Sequence, residues 1–168
     1  KVLWAPWRLS YVEDPDKRRG CIFCDKPSLE GSAERREALV LYSDEHCSVL
    51  INKFPYTNGN LMVAPRRHTA DLLDMDAGCS ASLFDTVKLA LRVLGEVYSP
   101  QGFNIGINLG RPAGAGIDDH LHWHVVPRWE GDTNFMPLIA ETRVMPEHLE
   151  DSYDRLLPLF ERVAGSSG

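Results

Sequence analysis

The sequence predicts an α+β fold, with an antiparallel sheet of about five strands, a long helix and a C-terminal helix. Three observations predict it. Short apolar runs separated by polar turns read as hairpins, which make antiparallel neighbours. An apolar repeat at helical spacing falls between the third and fourth of those runs rather than after each one. A second amphipathic stretch closes the chain.

Residues 1–37 read as irregular, punctuated by Pro6, Pro15, Gly20, Pro27 and Gly31. Ala38–Tyr42 and Cys47–Asn52 flank the polar Ser43-Asp44-Glu45-His46 and form a hairpin. Phe54–Gly59 is a turn and Asn60–Pro65 a third strand. A short helix is expected from Ala70, then a longer one from Ser80 to Tyr98. In the longer one Leu83, Val87, Ala90, Leu91 and Leu94 face the sheet. Gly102–Leu109 is the fourth strand and His120–Pro127 the fifth, with Gly110–Gly116 between them too glycine-rich for regular structure. A short strand is read near Leu138–Ala140. The last helix spans about Pro146 to Val163, interrupted or kinked around Pro158.

Composition narrows the function. A net charge of −6 argues against a large nucleic-acid surface but allows a small anion in a locally positive pocket. No apolar run approaches the ~20 residues needed to cross a bilayer. The chain opens on a charged, Trp-rich stretch with no signal-like apolar region, so a cytoplasmic location is expected. Cysteines at 21, 24, 47 and 79 are too sparse for a disulfide scaffold, and a Cys-x-x-Cys pair points to metal or redox chemistry in a reducing compartment.

The most informative run is His120-Leu121-His122-Trp123-His124-Val125-Val126-Pro127. In a strand, His120, His122 and His124 line one face and Leu121, Trp123 and Val125 the other. Three imidazoles in a row add little to stability and titrate near neutrality, which favours a reactive or metal-binding row over a merely polar strand face. Immediately upstream, the glycines of Gly110–Gly116 allow backbone N–H groups to converge on phosphate oxygens, and Asn108 adds a side-chain donor. A plain connector is the competing reading of that loop. Cys21-Ile22-Phe23-Cys24 has zinc-knuckle spacing but supplies only two of the four ligands of a structural site. The others should be imidazoles: His68 and a member of the histidine row, with His46 competing for the former and Cys47 or Cys79 as substitutes. Inert or redox-active thiols are the alternative for Cys21 and Cys24.

The run His-x-His-x-His followed by apolar residues, with Asn108-Leu109-Gly110 and the Ala-Gly-rich loop ahead of it, resembles the histidine triad (HIT) superfamily over residues 35–135. Leu3-Trp4-Ala5-Pro6-Trp7-Arg8, Pro127–Phe135 and Val144-Met145-Pro146 are similar to the branch containing diadenosine tetraphosphate phosphorylases and hydrolases. The resemblance implies a HIT-like fold. It comprises an N-terminal segment (1–37) with a zinc knuckle, a catalytic domain (38–135) and a C-terminal extension (136–168) packed on that domain. It implies a homodimer acting on adenine nucleotides such as diadenosine polyphosphates. His122 is then the nucleophile that forms a nucleotidyl-imidazole, and His124 contacts the phosphoryl oxygens or leaving group. Asn108, Gly114, Ala115 and Gly116 bind phosphate. A cleft near Leu50, Ile51, Asn52 and Phe54 takes the nucleoside, with Asn52 as the contact and ordinary core as the competing reading of Leu50 and Ile51. Similarity to the zinc site of galactose-1-phosphate uridylyltransferases assigns structural Zn2+ to Cys21, Cys24, His68 and His120. Gly116 stands where many members carry Ser, Thr or Gln, so the group that protonates the leaving oxygen is unassigned. Asp118 and Asp119 would repel a phosphate there, unless they contact a zinc-bound His120 or point away.

Other readings remain open: hydrolysis of adenosine phosphoramidate-type conjugates, nucleotidyl transfer to a sugar phosphate, or a non-catalytic nucleotide-binding module. Nothing in the motif selects water or orthophosphate as the second nucleophile.

Overall fold

The computed structural model describes residues 20–55, 57–132 and 147–165. Strands β1 (Val40–Ser43), β2 (Cys47–Ile51), β3 (Leu61–Pro65), β4 (Gly102–Ile107) and β5 (Trp123–Arg128) form one antiparallel sheet in the order β1-β2-β3-β5-β4. Strands β2 and β3 lie inside the sheet and are buried at every position, which is why they read as continuous apolar runs rather than alternations.

The N-terminal segment is more ordered than its composition implied. Residues 20–37 hold two short helices, α1 (Ile22–Asp25) and α2 (Ser32–Glu37), with a 3-10 turn at Lys26–Ser28 between them. Pro27 opens that turn and Gly31 is the N-cap of α2, so these residues mark helix boundaries. Residues 1–19 lie outside the described residues.

Between β3 and β4, Asp side chains decide where helices begin. The helix expected from Ala70 is a single 3-10 turn, Leu72–Asp74, capped by Asp71, which accepts from the Leu73 N–H at 2.9 Å. Helix α3 (Ala77–Tyr98) starts three residues before the expected Ser80 because Asp76 accepts from the Cys79 N–H at 2.8 Å. It stops where Ser99 turns left-handed (φ 45°) ahead of Pro100. Leu83, Val87, Ala90 and Leu94 are buried as expected, Leu91 is partly buried, and Val93 joins them.

The last helix, α4 (Leu149–Gly165), runs through Pro158 without the interruption that was one of the two outcomes expected there. Leu156 and Phe160, fully buried on either side, hold both halves against the sheet. The start expected at Pro146 and the strand near Leu138–Ala140 lie outside the described residues.

The sheet therefore has two unequal faces. On one, α3 and α4 cover Leu41, Val49, Ile51, Leu61, Val63 and Val125. On the other, a smaller cluster of Val40, Leu50, Met62 and Ala64 is capped by Phe23 from α1. This second face carries the site.

Candidate active site and metal centre

Helix α1 is one turn long, and its geometry follows from the Cys-x-x-Cys spacing. The Cys24 and Asp25 N–H groups both donate to the Cys21 carbonyl at 2.9 Å, so residues three apart present their sulfurs on one side. His68, three residues past the end of β3, and His120 complete the cluster. The four donor atoms lie within 4.8 Å of one another. Cys21 Sγ is 3.2 Å and Cys24 Sγ 3.6 Å from His120 Nδ1. His68 Nδ1 lies 3.3 Å from Cys24 Sγ and 3.2 Å from His120 Nδ1. Tetrahedral zinc with the usual Zn–S and Zn–N bonds needs edges of about 3.3 Å (N···N) and 3.5 Å (S···N). The donors fit.

His120 has no freedom to do anything else. Its Nε2 lies 2.8 Å from the Pro65 carbonyl, which can only accept, so Nε2 carries the hydrogen and Nδ1 presents a lone pair to the cluster. Burial lowers its pKa, which keeps the ring neutral as a ligand must be. His46, the competitor for His68, pairs with Glu45 at 3.0 Å on the β1–β2 turn. Cys47 is buried in β2 and Cys79 lies on α3, and neither joins the cluster.

The histidine row is not all strand. The fifth strand begins at Trp123, because the Leu121 N–H donates to the Thr69 carbonyl (2.8 Å) rather than to a ladder partner. His120 turns toward the thiols, while His124 sits in the ladder opposite Met62 and Gly106. His122, between them, is 5% exposed. Its Nδ1 donates to the His120 carbonyl at 2.9 Å, which leaves the lone pair on Nε2. Burial lowers the His122 pKa, and the bond to the His120 carbonyl only partly offsets this. The ring is therefore an unprotonated base with a fixed tautomer. Phe23 stacks on it, centroids 4.8 Å apart and planes at 27°.

His124 meets His122 edge-on at 5.1 Å. Burial pushes its pKa down to about 4, and its Nδ1 is buried with no partner among the described residues. Gly106, directly opposite, leaves open space where a side chain would stand.

The loop before β5 contains a 3-10 turn at Arg111–Ala113. Gly110 and Gly114 both have positive φ (78° and 95°), which only glycine adopts readily. The Gly114 and Ala115 N–H groups donate within the loop, to Arg111 and Gly110 carbonyls, and Asn108 Nδ2 donates to the Gly114 carbonyl at 3.3 Å. Asn108 thus braces the loop in this structure. The repulsion expected from Asp118 is relieved: Arg111 Nε donates to it at 2.7 Å. On the nucleoside side, Leu50 and Ile51 are ordinary core, on opposite faces of β2, so neither offers a cleft wall. Asn52 is half-buried and its Oδ1 accepts from the Phe54 N–H at 2.9 Å.

Sequence reasoning missed Phe23, whose signal was a large apolar residue inside a four-residue knuckle. It also missed Asn60, fully buried, with no hydrogen bond to either amide atom among the described residues. The carbonyls of Pro65 and Thr69 carried no sequence signal at all.

With this geometry in hand, the chain was compared with known proteins. Residues 33–131 match the model of the HIT domain. The chain is 39% identical over 158 residues to the AP-4-A phosphorylase of Mycobacterium tuberculosis, covering 89% of this chain and 79% of the relative. It is 29% identical over 130 residues to the asymmetrical bis(5'-nucleosyl)-tetraphosphatase of Schizosaccharomyces pombe, covering 75% of this chain and 68% of that one. Among solved structures, a Zn-bound histidine triad family protein from Mycobacterium smegmatis superposes with a TM-score of 0.66 at 27% identity, covering 88% of this chain and 97% of that chain. Site geometry, domain match and relatives agree, and the chain belongs to the HIT domain family.

Proposed function

We propose that the protein is a diadenosine polyphosphate phosphorylase that works through a covalent nucleotidyl-His122. The observation that carries this is the tautomer of His122. Its Nδ1–H is held by the His120 carbonyl, so a buried, neutral imidazole offers Nε2 to an electrophile. Nε2 attacks the α-phosphorus, the N–P bond forms, and the P–O bond to the departing nucleotide breaks. A second nucleophile then attacks phosphorus from the opposite side and restores the free imidazole. His124 contacts the phosphoryl or leaving oxygen, which gives its partnerless Nδ1 and open surroundings a purpose. Asn108, Gly114, Ala115 and Gly116 hold the phosphates, for which the Gly114 and Ala115 N–H groups turn from the loop carbonyls they meet here, and Asn52 holds the ribose. Orthophosphate is preferred to water because the 39% identical relative bears the name of a phosphorylase.

The Cys21, Cys24, His68 and His120 donors would hold Zn2+, and with all four ligands supplied by protein the metal would fix His120 and α1 rather than touch substrate.

A second copy of the chain covers the outer edge of β4. Among the described residues this strand ends the sheet, and Ile105 is 48% exposed on it. An unpaired apolar edge is a pairing site. Sedimentation is expected to give a dimer for the protein and a monomer for Ile105→Asp; a monomeric wild type contradicts this.

Product analysis with diadenosine tetraphosphate tests the function. ADP plus ATP formed only with orthophosphate supports it. AMP plus ATP without orthophosphate makes the protein a hydrolase instead, and no turnover removes both readings.

A further inference from the structure

We infer that Phe23 is a positioning residue for the nucleophile, and that the metal knuckle thereby orients His122 rather than merely anchoring the N-terminal segment. The inference rests on His122 being the reacting imidazole.

Phe23 stands between the two thiols of α1, yet it is completely buried while Cys21 and Cys24 are not. Its ring packs in the small core of Val40, Leu50, Met62 and Ala64. There it lies nearly parallel to the His122 ring, 4.8 Å between centroids and 27° between planes. The same ring meets His120 at 5.3 Å and 52°. A stacked pair at this separation is in the favourable range for aromatic contacts.

The contact supplies what the hydrogen bond cannot. The bond from His122 Nδ1 to the His120 carbonyl fixes the tautomer and one point of the ring. The χ2 torsion of a histidine is broad, so a ring held at one point still swings about that bond. A flat, buried neighbour against one face removes the swing and aims the Nε2 lone pair. Phe23 itself is one residue from Cys24 and two from Cys21, with no slack between. Whatever holds the sulfurs holds the ring. The donor cluster therefore reaches the nucleophile by two routes, through the His120 carbonyl and through Phe23.

The test uses the zinc-loaded full chain with labelled histidine and phenylalanine. In the wild type, nuclear Overhauser contacts are expected between the Phe23 and His122 ring protons, with the His122 signals shifted upfield by the Phe23 ring current. Phe23→Leu and Phe23→Met keep the site apolar but remove the flat face. Both are expected to retain zinc, move the His122 signals downfield, and lower kcat by about 10–100-fold with KM within about two-fold, as for loss of alignment rather than binding. Absence of the wild-type contact overturns the inference, even if the variants fail to fold. So does an unchanged kcat, or a fall in kcat with His122 signals unmoved. If wild-type protein shows no turnover, the functional reading fails while the resonances still decide whether Phe23 orients His122.

Discussion

His122→Ala is expected to abolish turnover of diadenosine tetraphosphate while leaving nucleotide binding within a few-fold of wild type. Removing the nucleophile of a covalent mechanism costs on the order of 10⁴–10⁶-fold in kcat. Binding is expected to survive because the proposed phosphate and ribose contacts, Asn108, the Gly114–Gly116 loop and Asn52, lie outside the substituted side chain. The pH dependence has a definite sign. Burial lowers the His122 pKa, so the free base persists below the usual histidine range and protonation removes activity only on further acidification. The acid limb of kcat/KM should therefore lie below that range. Single-turnover kinetics and isothermal titration of His122→Ala check the pair. Retained turnover contradicts the nucleophile assignment, and lost binding contradicts the division of labour.

Removal of one cluster donor is the second large effect. Cys24→Ser is expected to carry far less than one equivalent of zinc after purification without added metal, and to melt roughly 10 °C lower. The reason is local. Around the cluster, α1 contributes a single helical turn with one fully buried apolar side chain, Phe23, and the partly buried Ile22. Without a metal, the four donors must sit within 4.8 Å of one another, held to each other only by weak sulfur and imidazole contacts at 3.2–3.6 Å. Elemental analysis and calorimetry test this. A Cys24→Ser protein with a full equivalent of zinc and an unchanged melting temperature would exclude the four-donor assignment.

Much of this was legible from residue order because the relevant physics is local. The β1–β2 hairpin, the strand at β3 and the helix periodicity of α3 follow from apolar spacing, and the Cys-x-x-Cys pair announces a metal site before any coordinates. The partners of that pair were reachable by elimination of donor types, and the family resemblance placed them on His68 and His120. What could not be read depends on contacts between distant residues. The identity of the atom that His120 and His122 use is set by the carbonyls of Pro65 and His120, which no side-chain code reports. The strand was expected to begin at His120, but a bond to the Thr69 carbonyl and the pull of the thiols delay it to Trp123. The repulsive look of Asp118 vanished once Arg111 was seen to pair with it. Pro158 signalled an interruption or a kink, and burial of Leu156 and Phe160 on either side keeps the helix continuous through it.

The most direct test is to trap the intermediate. The enzyme is mixed with diadenosine tetraphosphate without orthophosphate and quenched in base, where a phosphoramidate survives. It is then digested and analysed by mass spectrometry. An adenylyl group on His122, absent from His122→Ala and discharged as ADP when orthophosphate is added before quenching, is the expected result. An adenylyl group on any other residue, or none during active turnover, would contradict nucleophilic attack by His122.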